Sequence, residues 1–479
     1  MRRSSFAVSI AVLLSASAST AIPAQAATPP VPYSIQEFAP KPGPGVGEIT
    51  LTWKHDNPKY TTGYVLQTGL KSFEKTTKPV IPVTRGGKIF TISKSLRTYT
   101  LSAAQVASAN APVGSGNHLY MRLMAINKDS SGATSIRYYP YNTAVLPRPQ
   151  APDSSSEPMR IASFNVRTAR ALTDKQTWLQ RAPAVAKQIK DYNPGVVAIQ
   201  ELGPGRADGQ TGTTQGTPRQ TDSLLTELNK IYAEKYDLVR TTPYVSPGTP
   251  SATQGMRILY DNTRYSLLSS CPEKTGTSSY SASCSFKLPI RPTGDTEDAD
   301  RRRAAYAKLQ DKSSGDKFWF VSVHFDARHS TNLTTEKTYH DLRTAQANEV
   351  AQQLDVLNTE NLPVIVGGDF NTWQTNAVGN GAHDTLVNKG YYDASAAVVR
   401  KNFQYKTIND FVLTMTPGSY GIGVRIDMLM FKGSPGSAYF ENVMEVTDST
   451  RPSDHNMILA DIGPFNSLGP VTVRSTSRR

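Results

Sequence analysis

Three short stretches near the C-terminal end hold the groups best suited to chemistry. They are Gly368-Asp369-Phe370-Asn371, Arg425-Ile426-Asp427 and Ser453-Asp454-His455. Each borders an apolar run of the kind that forms a buried strand, so each polar group is expected at a sheet edge. Carboxylates and an imidazole converging there suit a hard divalent cation and a water activated against phosphorus. Upstream, Phe164-Asn165, Ile199-Gln200-Glu201, and His324 after Phe320–Val323 add an amide, a carboxylate and a second imidazole. Each piece has a plainer reading. Gly-Gly-Asp-x-Asn is a good turn sequence, a glutamate after a strand is commonly solvated, and His455 could cap a helix. All of them at strand ends in one region argue against coincidence.

The ordered set resembles the endonuclease/exonuclease/phosphatase superfamily. These metal-dependent phosphoesterases include deoxyribonuclease I, abasic-site endonucleases and sphingomyelinases. The resemblance spans about residues 159–463 and is carried most strongly by Gln200-Glu201, Gly368-Asp369-Phe370-Asn371 and Ser453-Asp454-His455. It implies a four-layer α/β sandwich with two central sheets and a site at one edge. Glu201 would be the main carboxylate ligand of Mg²⁺, with Mn²⁺ or Ca²⁺ as alternatives, and Asn165 and Asp454 would lie close to the ion. Asp369 would orient or deprotonate the attacking water. Asn371 would donate an amide hydrogen to a phosphate oxygen. Asp427 would accept from His455 and leave a charged imidazole facing the phosphate. His324 would be the second histidine, a general acid or a phosphate contact. Arg302 matches an arginine that nucleases of this superfamily set against substrate phosphate, although the run Asp298 to Arg303 also reads as a solvated loop. The deoxyribonuclease I type supports its second histidine with a glutamate before a strand ending in Leu-Tyr. Gln254 stands there in this chain, ahead of Ile258-Leu259-Tyr260, so His324 is expected to be less basic than His455.

The elements that must position these groups alternate between strand and helix, which indicates an α/β domain over 159–464. Met159–Phe164, Gly195–Ile199 and Pro363–Val366 read as strands. Asp174 is expected to open a helix carrying Trp178, Ala182, Val185 and Ile189 on one face. Gly203 to Thr221 and Lys274 to Ser283 read as polar flaps near the site. Residues 30–147 show short period-two segments between turn signals, which argues an all-β immunoglobulin-like sandwich. The Trp53 position and Tyr120-x-Arg122 resemble a fibronectin type III module. Residues 148–158 form a Pro- and Ser-rich linker, and 465–479 a basic tail.

Residues 1–26 read as a signal peptide, with Arg2 and Arg3, an apolar stretch from Phe6 to Leu14, and Ala24-Gln25-Ala26 at the end. No segment is apolar over a membrane-spanning length. A secreted, extracellular protein is therefore expected, and in that setting Cys271 and Cys284, the sole cysteines, would form a disulfide. The net charge of +13 is unevenly spread. Residues 27–150 carry 14 Lys/Arg against 5 Asp/Glu, while residues 151–479 carry 36 against 34. Basicity therefore belongs to the N-terminal part and says little about the site. The leading reading is a secreted Mg²⁺-dependent phosphodiesterase acting on nucleic acid, DNA foremost. A sphingomyelinase-like phospholipase or a phosphomonoesterase on the same fold is the alternative, and an adhesin on a relict fold a third. The basic sandwich could tether the enzyme to a polyanion or an anionic cell surface, or act as a spacer.

Overall fold

The computed structural model describes residues 35–463, except 56–57, 70–87, 110–118, 129–131, 133, 139–142, 146, 148–157, 172–175, 211–216, 240–254, 272–283, 297–299, 375, 419–422, 434–435 and 446–450. The expected signal peptide, the basic tail, almost all of the linker, Asp174, Gln254 and the Lys274–Ser283 flap lie outside the described residues.

From Met159 onward the chain builds two seven-stranded sheets packed face to face. In the first, the strands run in the order Tyr236–Leu238, Arg257–Asp261, Val196–Gln200, Met159–Asn165, Ile458–Ile462, Ser437–Asn442, Val399–Lys401. The second has Lys317–His324, Val364–Asp369 and Asp427–Lys432 adjacent at its centre. Alternation along each strand sorts the side chains. Ile161, Ala198, Phe320, Ile365 and Leu429 pack between the sheets. Phe164, Val197 and Ile199 turn outward onto the helices Trp178–Tyr192 and Gln220–Ile231. Val321, Val364 and Met430 turn outward onto Leu333–Leu357 and Gly381–Asn388. The result is the four-layer α/β sandwich expected, and burial of these apolar faces supplies its main driving force.

Local sequence explains two details. The helix expected from Asp174 begins at Trp178, where Thr177 and Gln180 form a capping box. Gly367 and Gly368 lie inside the strand Val364–Asp369, not in the turn that Gly-Gly-Asp also allows. A Cβ on Gly367 would come within 2.8 Å of Ala198 Cβ in the facing sheet, and one on Gly368 within 2.1 Å of the Val323 carbonyl. Both glycines thus permit close approach beside Asp369.

The N-terminal region is a β-sandwich. A three-stranded sheet of Ile35–Pro42, Ile49–His55 and Thr98–Leu101 faces a five-stranded one built on Thr61–Gly69 and Leu119–Lys128. Phe38, Leu51, Trp53, Tyr64, Leu66 and Leu123 fill the space between them. The sandwich touches the α/β layers: Lys41 Nζ donates to the Val398 carbonyl at 3.3 Å, Arg400 donates to the Pro40 carbonyl, and Tyr120 is buried in the cluster that holds Leu386 and Tyr391. Cys271 and Cys284 are joined by a disulfide. No helix among the described residues is long and apolar enough to cross a membrane.

Candidate active site

Strand register brings the site together. His324 pairs with Asp369, and Asp369 pairs with Asp427, so three polar residues stand side by side at one end of the second sheet. In the first sheet Gln200 pairs with Asn165 at the corresponding end, with Glu201 one residue further. The sheets are tied near this end by Gln200, whose Nε2 donates to Ser322 Oγ at 3.2 Å.

Asp369 Oδ2 is the point of convergence. Asn165 Nδ2 lies 3.2 Å away, His324 Nε2 3.5 Å and His455 Nε2 3.8 Å. Its other oxygen accepts from the Asn371 N–H at 2.9 Å. Burial, reinforced by Asp427, pushes the Asp369 carboxyl up to about 7, against the pull of His455 and the donors. His455 Nδ1 donates to both Asp427 oxygens, at 3.1 and 3.0 Å. Burial alone would make this imidazole less basic. Asp427, then Asp369 and Asp454, hold it well above the ordinary histidine value, so it is charged at neutral pH. Thr407 Oγ1 accepts from the Ile426 and Asp427 N–H groups and fixes the start of that strand.

His324 is the opposite case. Burial, and then the guanidinium of Arg302, push it well below the ordinary value, with Glu201 pulling the other way. Arg302 Nη1 lies 3.3 Å from His324 Nδ1. A guanidinium can only donate, so Nδ1 accepts and the proton sits on Nε2, towards Asp369. The lower basicity expected of His324 is found, and burial with Arg302 is the cause visible here. Arg302 is half-buried at the site, not a member of a solvated loop.

Glu201 has a left-handed φ of 60°. It is cradled by Gly255, where a Cβ would meet Glu201 Cα at 2.6 Å. Its oxygens accept from Asn165 Nδ2 at 3.1 Å and the Thr168 N–H at 2.9 Å. Burial disfavours the charge, but Arg167 and these donors hold the group below the ordinary glutamate value. Asp454 lies 3.2 Å from Arg167 Nη1 and is raised, by burial first and by Glu201 as well. Ser453 Oγ donates to the Asn165 carbonyl at 2.7 Å and binds this segment to the first sheet. Asn371, also at positive φ, donates from Nδ2 to the Phe325 carbonyl at 3.1 Å. Every expected site residue apart from the cysteine pair therefore joins one cluster. Arg167, Thr168, Gly255 and Thr407 were not anticipated. Arg167 and Thr168 directly follow Phe164-Asn165, which was a usable signal; Gly255 and Thr407 carried none.

Residues 162–455, more than half of the chain, match the Endonuclease/Exonuclease/phosphatase family. The chain belongs to that family. Its members are metal-dependent phosphoesterases, and this enzyme is accordingly a divalent-metal-dependent phosphoric ester hydrolase. A mannosyl-6-phosphatase from Bacteroides thetaiotaomicron is 19% identical, with 64% of this chain and 99% of that chain covered and a TM-score of 0.45. Human Nocturnin's catalytic domain with bound sulfate gives 17%, 64%, 94% and 0.39. TDP2 from D. rerio, complexed with a single-strand DNA product, gives 18%, 64%, 100% and 0.40. No curated protein matches the chain.

The donor set of this family member fits a hard cation. Asp369, Asp427 and His455 bring one ligating atom each within 4.8 Å of one another. In that trio, however, His455 Nδ1 is already engaged by Asp427, and a cation there would compete with an imidazolium. Glu201 and Asp454 form a better pair: neither carboxyl is hydrogen-bonded to an imidazole, Glu201 is held ionised, and the two lie close enough for their charges to oppose each other. Oxygen donors and few carboxylates are what Mg²⁺ takes.

Proposed function

We propose that the protein is a secreted, Mg²⁺-dependent nuclease that hydrolyses phosphodiesters of extracellular DNA. The observation that carries the reading is the convergence on Asp369 of the His455 and His324 imidazoles and the Asn165 amide, with Asp427 holding His455 well above the ordinary histidine value and burial holding His324 well below it. Two imidazoles of opposite protonation suit a diester, which needs charge stabilised on phosphorus and a hydrogen bond for its leaving oxygen. Glu201 and Asp454 would hold the metal, and Asn165 would space Glu201 from Asp369. The bound ion would offset charge building on the phosphoryl oxygens. Asp369, close to neutral in its pKa, would take the proton of the attacking water. His455, fixed by Asp427, would present Nε2–H and positive charge to a non-bridging oxygen. His324 would donate Nε2–H towards the leaving oxygen, with Arg302 close by for phosphate. Asn371 keeps a second amide hydrogen for another phosphate oxygen.

Export is supported by the N-terminal residues 1–26 and by the disulfide. The sandwich is read as a fibronectin type III-like module whose surplus of positive charge tethers the enzyme to polyanions. A substrate panel tests the function: plasmid, single-stranded DNA, RNA, sphingomyelin and a generic phosphomonoester, each with Mg²⁺ and with chelator. DNA cleavage that disappears on chelation is the expected result. Hydrolysis confined to the lipid or the monoester would replace the reading with a phospholipase or phosphomonoesterase.

A further inference from the structure

The β-sandwich covers the edge at which both sheets of the α/β part end. Val399–Lys401 is the last strand of the first sheet and Tyr392–Asp393 the last of the second. Lys41 and Arg400 join the strand Ile35–Pro42 to the former edge, and the strand Thr143–Val145 lies alongside the latter. Sheet edges of this kind need cover. One side chain reaches further in. Along Leu119–Lys128, Leu119, Met121 and Leu123 turn into the sandwich core, so alternation turns Tyr120 out of it. Tyr120 is nevertheless only 1% exposed, because it is buried in the cluster of Ala382, Leu386 and Tyr391 on the α/β side. Among the described residues its hydroxyl has no hydrogen-bond partner, so packing of the ring is what seats it.

The elements around Tyr120 lead to the centre. Asp384, on the helix Gly381–Asn388, lies within electrostatic reach of the Tyr120 hydroxyl. The same helix supplies His383, whose Nε2 lies 3.2 Å from Asp393 Oδ2. That carboxylate accepts from Arg425 Nη1 and Nη2 at 3.3 and 3.0 Å. Arg425 stands two residues before Asp427, the carboxylate that holds His455. Tyr120, His383, Asp393 and Arg425 are all buried, and a close-packed interior passes a displacement on instead of absorbing it. We infer that Tyr120 is a positioning residue: the seated sandwich holds the helix Gly381–Asn388 and Asp393 in place, and through Arg425 it sets where Asp427 holds His455. The coupling needs only the phosphoester hydrolase chemistry, whichever ester is split.

The test compares the full chain with its Tyr120→Ala, Tyr120→Phe and Leu66→Ala variants, each well below its unfolding midpoint. Leu66 lies in the sandwich core, so its truncation weakens the sandwich from within and leaves the junction alone. Two quantities are read with Mg²⁺ present: kcat and KM on bis(4-nitrophenyl) phosphate, or on 4-nitrophenyl phosphate if only the monoester is split, and amide hydrogen exchange of the strand Asp427–Lys432. Tyr120→Ala should lower kcat about 10- to 100-fold with KM within about twofold, and exchange in that strand should quicken. Tyr120→Phe, which keeps the ring, should match wild type in both, and so should Leu66→Ala. If Tyr120→Ala does not fold, Tyr120→Leu should show a smaller loss in both quantities. Wild-type kcat and protection in the folded Ala or Leu variant would overturn the coupling. So would an equal loss in Leu66→Ala, which would mark a general weakening, or in Tyr120→Phe, which would put the effect on the hydroxyl.

Discussion

Asp369 and His455 have to be understood as a pair, because each sets the other's proton affinity. Asp369 is pushed up to about 7 by burial and Asp427, and His455 is held protonated chiefly by Asp427. A base must be ionised to work, so kcat/KM should rise as pH increases through the neutral range. An acid or cationic donor must keep its proton, so a fall is expected only at higher pH. Asp427→Asn removes the largest influence that raises His455. The descending limb should then move to lower pH, and the ascending limb should lose the push that Asp427 gives Asp369. A pH–rate profile whose descending limb does not move in this variant would separate His455 from that limb.

At the level of elements, a buried brace stiffens the strand that carries Asp427. Arg425 donates to Asp393 from both terminal nitrogens, at 3.3 and 3.0 Å, and His383 Nε2 lies 3.2 Å from the same carboxylate. Asp393→Asn would leave Arg425 buried without its counter-charge, at a cost of about 3–5 kcal/mol in denaturant unfolding. A change below about 1 kcal/mol would show the brace to be idle. His383 adds a pH signature. Burial lowers its basicity, but Asp384 and Asp393 raise it to about 9. A folded value above the unfolded one stabilises fully below about 6.5 and is lost as pH rises through about 9. The melting temperature of wild type should fall over that window, and the fall should shrink in His383→Gln. The polar groups at strand ends were legible in the sequence because apolar runs announce strands and chemistry follows them. The brace was not, since Asp393 and Arg425 lie far apart in sequence and meet only through adjacent strands. Gly255 was equally silent: the need for a residue without a Cβ arises from the Glu201 backbone, which a Cβ there would meet at 2.6 Å.

On the scale of the whole molecule, charge and catalysis are divided between the layers. The sandwich carries the basic surplus, including exposed Lys59, Lys88 and Lys94, while the catalytic part is close to neutral. If the sandwich is a tether, Lys59→Glu/Lys88→Glu/Lys94→Glu should elute from immobilised DNA at lower salt with unchanged turnover of a small diester. Unchanged elution would reduce the sandwich to a spacer. The β-sandwich and the strand–helix alternation of the α/β part were readable from periodicity and the four-layer arrangement from the family resemblance, whereas the way Tyr120 and Arg400 join the two parts depends on surfaces that no local pattern describes. The site assignment is tested most directly by Mg²⁺-dependent phosphodiester hydrolysis in His455→Ala and Asp369→Ala, with circular dichroism and unfolding midpoints as the check on folding. Both variants should stay folded and lose about 10²–10⁴-fold or more in rate. Wild-type hydrolysis by either folded variant would contradict the assignment.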